Sequence, residues 1–227
     1  MATDDIDTVV GDIDDWLARH APELHSRLPA GVSASALAAL EAAVGRSLPR
    51  ALHVLYRCHE DWHFAFGSLF MGLSSGHFNL MTFAVPSMQA SPDEPHFDYR
   101  EAGVVCLPPD AVNTEFVAVR RLPLITDGGG NFIGLDYLPG PAGTDGQVIA
   151  WGRDDQAWVV LADSLDGFLR EVRDRMHHGR ARVMSWPDRP EHPQSVAYLD
   201  DAGADVGDGH RSMADFFPGF GAAPSRL

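Results

Sequence analysis

The hydrophobic period of this chain changes twice along its length, and that change bounds the folds open to it. Ile6, Val9, Val10, Ile13, Trp16 and Leu17 recur at three- and four-residue spacing with aspartates opposite, the pattern of an amphipathic helix. LPAG at 28–31 breaks the pattern. Ser33 or Ser35 can cap a second helix through Leu37, Leu40 and Val44, which Gly45 stops. Pro49 suits the first turn of a third helix, whose inward stripe reads Leu52, Leu55, Tyr56 and His59. Beyond residue 66 the pattern becomes strand-like, with candidates at 68–72, 78–85, 115–121, 131–137, 147–151 and 157–162. The glycine- and proline-rich turns DGGG (127–130) and PGPAGTDG (139–146) join short strands into an antiparallel meander. The helical period then returns through Leu165, Phe168, Leu169, Val172 and Met176, capped near Asp163 or Ser164. Helices, then strands, then a helix predict an α+β domain over 1–176, mainly antiparallel in its sheet.

Two segments lie outside that reading. Residues 86–112 carry Pro86, Pro92, Pro95, Pro108 and Pro109 and are expected to form an excursion with little regular structure. Residues 177–227 are Arg-, Pro-, Gly- and Asp-rich without periodicity, and are expected to be a C-terminal tail. Within that tail SVAYL (195–199) and MADFF (213–217) could dock elsewhere.

Charge narrows the function. The 227 residues hold 32 acidic and 17 basic side chains, a net charge of −15, and every basic residue is arginine. Without lysine there is no Schiff base, phosphate-loop lysine or lysine general base. So acidic a chain is not expected to bind nucleic acid, which needs a basic face. The surplus either steers the chain toward a basic partner or keeps it soluble. Cys58 and Cys106 stand in no metal or redox spacing, which points to a reducing compartment. The acidic start lacks the features of a signal peptide, and no run approaches the ~20 apolar residues of a membrane span. A cytoplasmic protein without cofactors is the expectation.

Two motifs invite chemistry. HEDWH at 59–63 matches H-E-x-x-H, in which two imidazoles on one helical face hold zinc and the glutamate activates water. FAFGSLF follows, with no histidine for a third ligand, and the inward stripe stops near His59. His59 is then better read as a helix end with Trp62 covering the core, and His59 with His63 remains only a metal alternative. DGGGNFIGLD opens into a strand pattern, not a helix, so its glycines serve a tight turn and not a phosphate.

Three stretches taken together resemble the SUKH superfamily, which includes the yeast cell-wall-assembly (glucan synthase) regulator. LPAGVSASALAALEAAVGRSLPRALHVLYRCHEDW resembles its opening helices. LPLITDGGGNFIGLDYLPGPAGTDGQVIAWG resembles its central hairpins, and DSLDGFLREV its closing helix. The resemblance runs over residues 28–176. It departs where relatives place a glycine turn and this chain has Glu60, Asp61 and Trp62. It implies helices packed on a curved, mainly antiparallel sheet, a binding role, and no catalytic residues to carry over. Bacterial members are similar to immunity proteins that neutralise toxins.

The expected function is therefore a non-enzymatic immunity protein that binds a cognate, basic toxin, a nuclease for example, encoded nearby. A regulatory protein-interaction scaffold is the alternative, and a zinc hydrolase at His59 and His63 the third reading. Partner contacts are expected from Glu60, Asp61 and Trp62 at the helix exit and from Tyr137, Trp151, Asp154 and Asp155 around the hairpins, because acidic and aromatic side chains suit a basic partner.

Overall fold

A computed structural model describes residues 4–73, 79–81, 98–101, 103–114, 120–188, 191, 193–200, 203 and 212–223. The chain opens with α1 (Ile6–His20), a short α2 (Pro22–His25), α3 (Ala34–Val44) and α4 (Arg50–Cys58). The predicted stripe of α1 is buried in full, from Ile6 to Leu17. Ser33 caps α3 by accepting the Ala36 N–H, and Gly45, at φ 74°, ends it. Pro49 takes the cap position of α4 instead of its first turn.

The sheet runs in the order β1-β3-β4-β5-β6-β2, from β1 (Leu69–Phe70), β2 (Val105–Leu107), β3 (Arg121–Thr126), β4 (Asn131–Asp136), β5 (Gln147–Gly152) and β6 (Ala157–Ala162). All pairings are antiparallel except β2 beside β6. This is the α+β architecture expected, with the meander at its centre. α5 (Leu165–His177) follows, capped by Ser164, whose hydroxyl accepts the Gly167 N–H.

Alternate strand residues point to opposite faces. Val148, Ala150, Val159 and Leu161 join the main core with the helices. Ile149, Trp158 and Val160 join a second cluster closed by Val104, Cys106, Ala111 and Val112. The excursion thus covers the sheet's other face and contributes β2 to its edge. Of the expected excursion, 86–97 and 102 lie outside the described residues, as do 78, 82–85 and 115–119 of the strand candidates.

Two expectations are corrected. β3 meets the expected strand 115–121 only at Arg121 and continues through Pro123 to Thr126. The register shifts between Pro123 and Ile125, so the ladder absorbs the missing N–H. Opposite it, a Cβ on Gly134 would stand 2.1 Å from the Leu122 carbonyl oxygen, so only glycine admits the approach.

The segment after 177, expected as a tail without periodicity, carries regular structure. β7 (Ala181–Ser185) and β8 (Gln194–Tyr198) form an antiparallel hairpin. A 3₁₀ turn at Met213–Phe216 leads into Phe217 and Phe220, both wholly buried. SVAYL and MADFF both dock: Val196, Tyr198, Met213, Ala214 and Phe217 belong to the main core. Aromatic residues in an aperiodic stretch find partners that local spacing does not announce. Among the described residues no helix is long and apolar enough to cross a membrane.

Candidate functional site

HEDWH does not lie on an α-helix; His63 opens a short 3₁₀ turn, His63–Phe66. α4 ends at Cys58, and His59 is already extended at φ −139° and ψ 137°. The chain turns away because the 28–32 loop takes its place: Val32 N–H donates to Tyr56 O, and Glu60 N–H to Ala30 O. A Cβ on Gly31 would stand 1.8 Å from Arg57 O, so glycine permits that contact. Trp62 then folds over the helix end, wholly buried, its indole N–H donating to Leu55 O at 3.2 Å. His63 sits at positive φ (43°), its backbone N–H donating to Asp61 Oδ1 at 2.6 Å.

The zinc-helix geometry is therefore not formed. His63 directs Nε2 to Arg27 O at 3.0 Å and Nδ1 to Asp61 at 3.3 Å. The Asp61 hydrogen bond holds the His63 imidazolium above its ordinary range. His59 faces the other way, into a group drawn from three helices. Its Nδ1 bonds Pro29 O at 2.8 Å and its Nε2 lies 2.8 Å from Asp14 Oδ1. His25 Nε2 reaches the same oxygen at 2.9 Å. A carboxylate oxygen of Asp14, the Cys58 sulfur and a His59 ring nitrogen all lie within 4.8 Å of one another. Burial, aided by Asp14, pushes the Cys58 thiol up to about 11. Asp14, His25 and Cys58 were missed in sequence, because Asp14 lies 45 residues before His59 and no local spacing joins them. The adjacency of Cys58 and His59 is the one local hint.

Beside this turn runs a two-lobed cleft between α2 and the β7–β8 hairpin. One lobe, about 370 Å³, is lined by Glu23, Arg27, Trp186 and Pro193 among others. The other, about 180 Å³, continues past Arg27 to His63 and Phe64. Gln194 fixes the cleft's width by accepting the Glu23 and Leu24 N–H groups with its side-chain oxygen.

The seven residues expected to meet a partner divide between two places. Glu60 and Asp61 are half-exposed at the exit from α4, whereas Trp62 is core. On the meander, Asp154 is exposed and Trp151 half-exposed, packed 5.6 Å from Phe132. Tyr137 is buried, with the Arg46 guanidinium 3.6 Å above its ring, and Asp155 is 3% exposed. Trp62, Tyr137 and Asp155 are thus packed inward, which removes them from the exposed surface. Large aromatic rings gain by burial, whereas Asp155 is buried at a cost, under the Met213 turn. In the glycine turn Asp127 accepts from Gly129 N–H and Asn131 N–H, so a side-chain-capped turn occupies that stretch.

Asp155 carries a measurable consequence. Burial pushes its carboxyl up to about 7, opposed by the Met213 N–H and assisted by Asp127, Asp215 and Asp154. The native state then holds a proton that the unfolded chain releases near pH 4, so stability falls as pH rises toward 7 and is level above it. Asp155→Asn keeps an acceptor for Met213 without the charge. We expect it to leave stability unchanged near pH 4 and raise it by roughly 2–4 kcal/mol at pH 8, read by urea unfolding at both pH values.

The fold and site define a mainly antiparallel α+β domain with a cleft beside the turn after α4. A family model described as the SMI1 / KNR4 family (SUKH-1) matches residues 31–171, and the chain belongs to that family. It is 38% identical over 73 residues to "Cell wall assembly regulator SMI1" of Saccharomyces cerevisiae. It is 42% identical over 73 residues to "Cell wall biosynthesis/cell cycle regulator smi1" of Schizosaccharomyces pombe. Each alignment covers 32% of this chain and 14% of the relative. A "Glucan synthesis regulatory protein" of Neurospora crassa is 38% identical over 74 residues, 33% of this chain and 14% of the relative. The chain thus aligns with about one-seventh of the length of these curated relatives, which are named as regulators and not as enzymes.

Proposed function

We propose that this chain is a non-catalytic binding domain that regulates a protein partner by docking it, the scaffold alternative and not the toxin-neutralising reading placed first from sequence. The observation that carries the proposal is membership of a family whose matching relatives bear regulator names. The cleft between α2 and the β7–β8 hairpin suits an extended polypeptide segment. Trp186, Pro187 and Pro193 give apolar contact, and Glu23 with Arg27 gives polar edges. Asp61 and Glu60 lie half-exposed beside the His63 end of the cleft, and Asp154 with Trp151 forms a second accessible patch on the meander.

Affinity capture from the source cell with cross-linking tests this reading. A stoichiometric protein partner should cross-link to the cleft, and Trp186→Ala with Arg27→Glu should weaken it at least about 10-fold, a loss of roughly 1.4 kcal/mol. No stoichiometric partner for the unaltered chain, or undiminished binding by the variant, overturns it.

The net charge of −15 favours a second reading, neutralisation of a basic toxin. Co-expression with the product of the neighbouring gene distinguishes the two. Rescue of growth by a one-to-one complex supports neutralisation, and a harmless neighbour removes it.

A further inference from the structure

We infer that Asp14, His25, Cys58 and His59 form a binding site for one divalent cation of the zinc type, separate from the H-E-x-x-H pairing.

The donor set is the first reason. Thiolate, two imidazoles and a carboxylate are the ligands zinc takes, commonly four at a time in tetrahedral array. They come from three elements: Asp14 from α1, His25 from the end of α2, and Cys58 with His59 from the exit of α4. A cation there would tie together three helices whose mutual packing builds the face carrying the cleft.

Orientation is the second reason. Pro29 O only accepts, so at 2.8 Å His59 Nδ1 must be the protonated nitrogen. A histidine that ligates through one nitrogen usually gives the other N–H to a carbonyl or carboxylate, which fixes its tautomer. His59 Nε2 then directs its lone pair toward Asp14, where His25 Nε2 also arrives, at 2.8 and 2.9 Å from one oxygen. Without a cation the His59 contact requires a second ring proton. With one, the lone pair has its acceptor.

Distance is the third. Tetrahedral ligands at zinc bond lengths stand about 3.3–3.8 Å apart. The imidazole-to-carboxylate contacts need to open by about half an ångström, and the group of Asp14, Cys58 and His59, within 4.8 Å, needs to close by about one; His25, outside that group, joins through its 2.9 Å contact to Asp14. Access is open, since the Asp14 and His25 side chains retain 27% and 30% exposure. Binding displaces the thiol proton of Cys58 to solvent and leaves a thiolate–metal bond. The Trp62 ring, 4.9 Å from His59 and edge-on to it, walls the inner side.

Cobalt(II) titration of the full chain after chelator stripping reads both stoichiometry and ligand type. We expect one ion per chain, tetrahedral visible absorption and a thiolate-to-cobalt charge-transfer band, with zinc displacing cobalt. Cys58→Ser should abolish the charge-transfer band. Cys58→Ser and His59→Ala should each weaken zinc by more than the roughly 10- to 100-fold that loss of an orienting partner costs. His63→Ala should leave binding unchanged. Circular dichroism and the melting temperature of each metal-free variant establish that it is folded. His25→Ala, on the short α2, gives a further ligand test if His59→Ala fails to fold. Absence of the cobalt spectrum overturns the site. So does binding that survives Cys58→Ser intact or that disappears with His63→Ala. Partner capture by metal-free protein is a separate readout, so failure here leaves the binding function standing.

Discussion

A chain cut after Asp200 is expected to lose its cooperative unfolding transition, although the family match ends at residue 171. The removed segment carries Met213, Ala214, Phe217 and Phe220 into the main core. Phe217 stacks on Tyr198 at 5.1 Å and meets Phe168 of α5 at 5.0 Å, and Phe220 lies 5.0 Å from Phe217. Arg175, itself buried, donates to Pro218 O at 3.2 Å and Gly219 O at 3.0 Å, and would keep the Leu199 carbonyl without those two. Emptying two buried phenylalanine sites costs about 3–5 kcal/mol each, against a whole-domain stability of roughly 5–15 kcal/mol. The truncated chain should show weakened near-ultraviolet circular dichroism and a broad thermal profile. Phe217→Ala in the full chain should retain a sharp transition with stability lowered by about 3–5 kcal/mol in urea. A truncated chain that melts as sharply and as high as the full one would falsify this account of the core.

Periodicity and caps carried most of the helical frame into the sequence. The α1 stripe, Ser33 and Gly45 around α3, and Ser164 before α5 each follow from one local interaction, so they are readable from neighbours alone. The hairpin turns at 127–130 and 139–146 are legible for the same reason. β3 beyond Arg121 was hidden because a proline in a strand signals a break, and only the partner strand, with Gly134 opposite, shows how the break is accommodated. The C-terminal hairpin and the Phe217–Phe220 turn were hidden because their contacts are with residues far away in sequence: Tyr198 of β8 donates to Ala65 O, and Phe217 and Phe220 pack on Phe168.

The site was less legible than the fold. HEDWH gave the right place for a helix exit but the wrong company for its histidines. His63 turns to Asp61 and Arg27, and His59 turns to Asp14. Trp62 and Asp155 were expected at a surface because tryptophan and aspartate suit interfaces. Whether such a residue faces in or out depends on which segment lies over it. For Trp62 that is the exposed end of α4, and for Asp155 the Met213 turn, whose backbone N–H approaches its carboxylate at 3.4 Å.

Arg121→Met is expected to destabilise the domain by about 3–5 kcal/mol, because it leaves a buried carboxylate without its counter-charge. Arg121 and Asp136 are cross-strand partners on β3 and β4, 2% and 0% exposed at their side chains and 3.9 Å apart. Burial pulls the Arg121 guanidinium down to about 10. Burial raises Asp136, and Arg121 opposes that rise. The guanidinium lies 4.6 Å from the Trp158 ring and 5.4 Å from Trp151, and donates to Asn113 O. Asp136 accepts from Gln147 Nε2 at 3.2 Å, and the same amide donates to Ala111 O at 2.9 Å. This network fastens the 104–113 segment over the second face of the sheet, which strand hydrogen bonds alone would leave bare. In Arg121→Met, Asp136 rises further, with only the Leu138 N–H and the Gln147 amide left to oppose burial. Its proton is then held in the folded state and released on unfolding, so the variant should be least impaired at pH 5 and most impaired at pH 8. Arg121→Met with Asp136→Leu removes both charges and should recover much of the loss, since an apolar replacement of a buried pair is often neutral or better. Urea unfolding of both variants at the two pH values reads the pattern. A single variant as stable as the parent at pH 8 would show that the pair contributes nothing, and a double variant no better than the single would place the cost in lost packing against Trp158 instead of in the unpaired charge.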